Sequence, residues 1–404
     1  MDLRHSDADI AFRDELRAWL AATLPTLPPE PDRDDWTAHR AYCGAWQRRL
    51  FDAGYAGLDW PIEWGGRGAT PTRQLIFLSE LAHADAPYVG TNFVGLLHAG
   101  PTLMVEGTDE QRAQHVPAIL RGEQVWCQGF SEPDAGSDLA SLRTGAVRDG
   151  DSYRVTGRKV WTSHAMVADY CELLVRTDPS ARKHRGISWL ILPMDAPGVS
   201  VRPIKTAAGT SEFCELVLDD VPIPVANRVG AEGDGWRIAM TTLGFERGTA
   251  WIGDMMTTRT LLRNLVGVAR QTSDGATKSS AWSDTHVQSE LARLAAEIDG
   301  LWALTYRNVS EATSGLVPER GASVLKLRFT ECRQRLDDVA ADILGRASLT
   351  LDDLPGVASG RFSVDRLTTL AFTIAAGTSQ IQRNILAERA LGLPKEPEVR
   401  IPCG

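Results

Sequence analysis

Apolar residues along this chain follow three successive rhythms. They recur every three or four positions at first, every second position in the middle third, and every three or four again towards the end. Phe12, Leu16, Trp19, Leu20 and Leu24 share one helical face, which Pro25 closes. Tyr42, Trp46 and Leu50 mark a second helix ending near Gly54 and Gly57. Leu75, Leu78, Leu81 and Ala82 mark a third from about Pro71 to His83. From about Val125 the alternation predicts strands at Tyr153 to Thr156, Tyr170 to Arg176, Ile187 to Leu192, Val199 to Pro203 and Phe213 to Leu218. Turns are expected at Arg148 to Asp151, Asp195 to Gly198 and Asp219 to Pro222. Helical spacing returns at about Gly235 to Arg270, Ser289 to Gly315, Arg320 to Leu344 and Ser379 to Leu391, an up-and-down pattern of four helices. Ser379 and Gln382 read as an S-x-x-Q capping box, and Gly392 and Pro394 close that last helix. The expected fold is α+β multidomain: an N-terminal helical domain at 1–124, an antiparallel, barrel-like β domain at 125–228, a C-terminal four-helix bundle at 229–396, and a tail at 397–404.

Composition narrows the function. A formal charge of −9 argues against a nucleic-acid surface, which needs clustered Lys and Arg. The run Arg182 to Arg185 reads as a solvated turn. Cys43, Cys127, Cys171, Cys214, Cys332 and Cys403 are scattered, with no C-x-x-C and no His at ligand spacing, so no metal site is expected. Isolated thiols, an N-terminus rich in charge, and no apolar run near ~20 residues lead us to expect a cytoplasmic protein outside the membrane.

The candidate chemistry lies between Trp126 and Ser163. Phe130-Ser131-Glu132-Pro133-Asp134-Ala135-Gly136-Ser137-Asp138 forms a loop of small and acidic residues, whose backbone can approach a polar or planar ligand closely. Gly157-Arg158-Lys159-Val160-Trp161-Thr162-Ser163 then supplies an aromatic face beside hydroxyls, which suits a flat heteroaromatic ring with a hydrogen-bonding edge. A hairpin loop with a core Trp behind it has the same pattern. These two segments, with Gly377-Thr378-Ser379-Gln380-Ile381-Gln382-Arg383, resemble the flavin-cradling and C-terminal motifs of the acyl-CoA dehydrogenase family, in the family's order and over nearly the whole chain.

That resemblance implies FAD as cofactor, an acyl-CoA substrate and a flavoprotein electron acceptor. It implies that Ser131 and Ser163 hydrogen-bond the flavin edge within the block carrying Phe130 and Gly136, and that Trp161 covers a ring face. It places Ser137 near the cofactor or pantetheine, and gives Thr378 and Gln380 the pyrophosphate and ribose. Most members carry their catalytic carboxylate immediately before the Gly-Thr, where this chain has Ala376. The isovaleryl and long-chain branches instead carry it on the first bundle helix before an Arg, and Glu246-Arg247 stands there. Glu246 follows Ala239 and Leu243 at helical spacing, so a partly desolvated base is expected, with Arg247 turned aside to position ligand or backbone. The backbone N–H of Ala376 remains able to polarise a thioester carbonyl.

Two motifs that family tetramers lend to a neighbour's FAD site are missing. Residues 276–283 lack Arg-x-x-Phe-Gly, and Asp342-Ile343-Leu344-Gly345-Arg346 replaces Gln-x-x-Gly-Gly. The chain therefore resembles the Glu-bearing subunit of actinobacterial α2β2 enzymes acting on steroid side-chain thioesters. A homotetramer, an oxidase or monooxygenase of the same fold, and a non-catalytic subunit remain open on sequence alone.

Overall fold

A computed structural model describes residues 5–249, 252–271, 280–313, 319–352 and 359–395, with only helical backbone for 246–249, 319, 320 and 359. These form two compact units, one of His5–Gly253 and one from Asp254 onward.

The first unit opens with α1 (Asp7–Thr23), α2 (Trp36–Asp52) and α3 (Pro71–His83). Each starts at a side-chain cap: Ser6, Asp35 and Thr70 accept the N–H of Asp9, Ala38 and Arg73. Phe12, Leu16 and Leu20 are buried as the spacing predicts. The α-helix stops at Thr23, just ahead of Pro25 as expected, and the chain continues in a 3-10 turn at Leu24–Thr26, whose first turn does not need the missing N–H. Also present are α4 (Gly100–Glu106) and α5 (Asp109–Leu120), the latter opened by a Thr108–Gln111 capping box.

Eight strands follow: β1 (Trp126–Gly129), β2 (Gly145–Asp149), β3 (Ser152–Ser163), β4 (Tyr170–Arg176), β5 (Ile187–Pro193), β6 (Val199–Ile204), β7 (Phe213–Pro224) and β8 (Arg228–Val229). They form one sheet of order β6-β7-β3-β2-β4-β5-β8, with β1 beside β4. It is largely antiparallel as expected, but β1 runs parallel to β4, with Cys127 opposite Cys171. A parallel neighbour arrives by a crossover and leaves no hairpin signal in the sequence. No turn forms at Asp219 to Pro222. Instead β7 runs through it, absorbing an extra residue against Val155 and Gly157, with Asp220 left-handed at φ 52°. Tyr153, Val155, Leu173, Leu190, Leu192 and Leu216 make the core, and the thiols of Cys127, Cys171 and Cys214 lie buried among them.

Helix α6 (Gly235–Thr249) belongs to this unit. It buries Ile238, Ala239 and Thr242, and Thr242 Oγ1 is 2.9 Å from Thr102 Oγ1 on α4. Arg237 grips the Glu106 carboxylate at 2.6 and 2.8 Å, holding its pKa below the usual range.

The second unit contains α7 (Ile252–Gln271) from Asp254 on, α8 (Thr285–Thr313), α9 (Glu319–Leu344), α10 (Ser359–Thr369) and α11 (Ser379–Ile385). Helix α9 carries a buried polar stripe, Ser323, Lys326, Thr330, Arg333 and Asp337, beside Leu325, Phe329, Leu336 and Ala340. Arg333 bonds Asp365 on α10 at 2.7 Å, and Thr369 donates to Asp337 at 2.7 Å. The expected capping box is displaced by one residue. Thr378, not Ser379, caps α11 by accepting the Ile381 N–H at 3.2 Å, and Gln382 turns back to the Ala376 carbonyl. Among the described residues, no helix is long and apolar enough to cross a membrane.

The close approach of β3 to the chain entering β2 is testable. A Cβ at Gly157 would lie 2.4 Å from Thr144 Oγ1 and 2.7 Å from Thr144 Cα. Gly157→Ala is expected to destabilise the first unit by roughly 1–3 kcal/mol, read as a lowered thermal midpoint.

Candidate active site

The Ser131 loop leaves β1 and folds back on itself, Glu132 and Ala135 exchanging backbone hydrogen bonds at 3.0 and 3.1 Å. Val160 N–H donates to Ser131 O at 3.0 Å, so the loop lies against β3 just before Trp161. There β3 carries one extra residue between Lys159 and Thr162 relative to β7. That bulge puts Trp161 at φ 62° and leaves it 59 % exposed, edge-on to Phe213 at 6.1 Å. A core tryptophan is thereby ruled out. A non-glycine in this conformation costs of order 1–3 kcal/mol, which surrounding contacts must offset.

Ser131 and Ser163 are half-buried, and their hydroxyls take no partner among the described residues. Gly136 and Ser137 are exposed, and a Cβ at Gly136 would meet nothing within 4 Å. Phe130 points inward at 4 % exposure, so it offers a neighbouring ligand its backbone rather than its ring. His164 follows Ser163 at φ 58°, donates its N–H to Glu212 O at 2.8 Å, and tilts its ring against Trp36 at 5.0 Å. Burial, with His39 nearby, pushes its pKa down to about 4 and keeps the imidazole neutral. The Arg182–Arg185 turn is exposed as expected, and Lys183 pairs with Asp138 at the far end of the loop.

A buried ion pair joins loop to strand. Lys159 is 0 % exposed, and its Nζ donates to Glu132 Oε1 at 2.8 Å and to Phe130 O at 3.1 Å. Glu132 also accepts the N–H of Arg143 at 2.7 Å and of Thr144 at 2.8 Å. Burial opposes the Glu132 charge, but Lys159 and these donors outweigh it and hold its pKa below the usual 4.5. Burial also draws the Lys159 pKa below 10.5. The two shifts pull the pair in opposite directions. Its donor geometry, aimed at one carboxylate and one carbonyl, is that of an ammonium, and we assign the charged pair. Both residues stand inside the quoted sequence blocks. Their signal was a Lys at an inward position of an alternating strand.

In the second unit, Ala376 is left-handed at φ 52° and Gly377 at φ 82°. The Ala376 N–H has no partner among the described residues. Thr378 caps α11, while Gln380 is exposed in its first turn. Asp342 and Arg346 are both exposed. Glu246 and Arg247 lie on the last turns of α6, and their side chains fall outside the described residues, as do positions 276–279. Among the described residues, no group of three His, Cys, Asp or Glu could hold a metal.

Two free hydroxyls, an exposed indole and bare backbone form a surface that suits a planar ring with polar edge atoms. The sequence matches, in order, the acyl-CoA dehydrogenase N-terminal domain over residues 6–123, the middle domain over 127–221 and the C-terminal domain over 233–391. Acyl-CoA dehydrogenase IpdE1 of Mycobacterium tuberculosis is 39% identical over 397 residues, 95% of this chain and 98% of that protein. The ChsE4-ChsE5 complex from Mycobacterium tuberculosis gives a TM-score of 0.84 at 35% identity, covering 98% of this chain and 100% of that chain. The Tcur3481-Tcur3483 steroid ACAD gives 0.83 at 32%, covering 98% and 100%. The chain belongs to the acyl-CoA dehydrogenase family, whose members are flavoproteins.

Removing one partner of the buried pair is expected to be costly. Glu132→Gln strands the Lys159 charge and should destabilise the first unit by about 3–5 kcal/mol, measured by denaturant unfolding. Because the folded pKa of Glu132 is depressed, its contribution is complete above 4.5 and lost as pH falls through the lower value. The gap between parent and variant should therefore close on acidification below 4.5 and stay constant at neutral pH.

Proposed function

We propose that the protein carries out FAD-dependent α,β-dehydrogenation of an acyl-CoA thioester. The observation that carries this reading is the strained, solvent-facing Trp161 between the free hydroxyls of Ser131 and Ser163. Those hydroxyls would hold the flavin edge and Trp161 one ring face. The Phe130 backbone, Gly136 and Ser137 would border the cofactor and pantetheine, and Thr378 with Gln380 would hold pyrophosphate and ribose. When bound, FAD supplies a hydride acceptor at N5.

Glu246 is the base in this reading. Alanine at 376 cannot take a proton, whereas α6 is anchored by the Thr102–Thr242 and Glu106–Arg237 contacts. Its helical register brings position 246 onto the face of Ala239 and Thr242. Glu246 would take the α-proton while the Ala376 N–H bonds the thioester oxygen, stabilising the charge that grows there and so acidifying the α-carbon. Arg247 would position ligand or backbone.

A steroid side chain or branched acyl group as substrate is supported by the relative named a steroid ACAD. A heterotetramer with a related subunit is supported by two solved relatives that are paired complexes, and by the missing lending motifs. Electrons would then pass to a flavoprotein acceptor.

Glu246→Gln should retain FAD yet lose α-proton exchange and lower kcat by roughly 10²–10⁴-fold. Full turnover in that variant would remove the assignment. Anaerobic flavin bleaching with acyl-CoA esters of graded bulk should favour the largest. Expressed alone, the chain should bind less than one FAD per subunit, and co-expression with the partner should restore it. A stable homotetramer fully loaded with FAD would remove the paired assembly.

A further inference from the structure

The turn before α11 has two consecutive left-handed residues, and only the second is glycine. Ala376 adopts this conformation at a cost, so something must hold it there. Two buried side chains do so. Lys326 Nζ, on the polar stripe of α9, donates to Gly377 O at 2.7 Å, and Gln382 Nε2, one turn into α11, donates to Ala376 O at 3.0 Å. Lys326 is 3 % exposed and Gln382 6 %. Upstream, the N–H groups of Ile374 and Ala375 both bond Ala371 O, at 2.9 and 2.8 Å. The backbone is thus pinned on both sides of Ala376, whose N–H, like those of Gly377 and Thr378, takes no partner among the described residues.

We propose that Lys326 and Gln382 are positioning residues for the thioester carbonyl: by holding the carbonyls of Gly377 and Ala376 they fix the Ala376 N–H as a ready donor. The inference rests on the dehydrogenase reading and extends it to two side chains that touch neither substrate nor cofactor in that scheme. An oxyanion donor is effective only if it is oriented before charge develops, because a loop that reorients during reaction loses the advantage. In this chain no carboxylate at 376 can help anchor the substrate, so the fixed turn carries that task. Lys326 suits it because its Nζ reaches the Gly377 carbonyl at 2.7 Å from a long helix, which fixes where the donor stands.

The test uses Lys326→Met, Gln382→Met and the double variant in the FAD-loaded protein, assembled with its partner subunit where it has one. Each single variant should lower kcat by about tenfold to a hundredfold, less than or near the loss of a whole donor, with KM changed less than about threefold. The rate of α-proton exchange should fall in proportion, and FAD content should not. The double variant should be little worse than the poorer single, because both act through one turn. Lys326→Arg should restore most of the loss. Independently of turnover, amide exchange at Ile374, Ala375, Ile381 and Gln382 should accelerate in both single variants. A kcat within twofold of the parent, losses that multiply, or a loss that follows FAD release would overturn the proposal. Should Lys326→Met fail to fold, Gln382→Met decides alone. A parent inactive on every acyl-CoA ester would instead overturn the dehydrogenase reading, and unaltered amide exchange would then overturn the turn-holding role.

Discussion

A lysine ammonium with no access to water, 2.8 Å from a carboxylate and 3.1 Å from a carbonyl, ties the Ser131 loop to the strand that presents Trp161 and Ser163. The loop has little apolar area of its own: Ala135 is its one buried aliphatic side chain between Glu132 and Asp138. Hydrophobic burial therefore cannot set its position, and a directional contact does. Taking both charges out of water offsets much of their attraction, so such a pair is a poor source of net stability. Its value is geometric. Lys159 reaches one carboxylate and one carbonyl only when loop and strand are in one register, and that register aligns two hydroxyls and an indole.

The strained backbone is concentrated in the same places. Asp85, Trp161, His164, Asp220 and Ala376 are the non-glycine residues with positive φ among those described. Three of the five are proposed site positions or adjoin one. Each of those three is braced: Trp161 by the bulge and Phe213, His164 by Glu212 and Trp36, Ala376 by Lys326 and Gln382. Strain that persists under such bracing marks where a fixed orientation matters more than the local minimum.

Much of this was legible in the residues themselves. Long amphipathic segments were legible because a dozen or more positions vote on the period: α1, α3, α8 and α9 fall close to where the spacing puts them. Helix α10 was not, because its eleven residues turn Phe362, Ser363 and Thr369 inward, a mixed face with no apolar rhythm. Thr378-Ser379 offers two hydroxyls in a row, and only the backbone decides which of them caps the helix. The site motifs were visible as residue types. The two lysines that organise them were not, because Lys reads as surface by default. Both nevertheless leave a trace: Lys159 stands at an inward position of an alternating strand, and Lys326 lies in a periodic polar stripe. Ser323, Lys326, Thr330, Arg333 and Asp337 recur at three- and four-residue steps, the rhythm of a helix face, yet in polar residues. A polar stripe with core periodicity is the trace of a buried hydrogen-bonding spine.

The thiols carry a practical consequence. Cys43, Cys127, Cys171 and Cys214 are sealed in the first unit and Cys332 in the second, all free and all buried. An alkylating dye added to the native enzyme would find no exposed thiol among the described cysteines. Labelling then proceeds only as fast as the structure around each sulfur opens, and mass spectrometry of Cys332 against the other four would show whether the two units open together or apart. The chain thus carries its own reporters of opening, four in the first unit and one in the second.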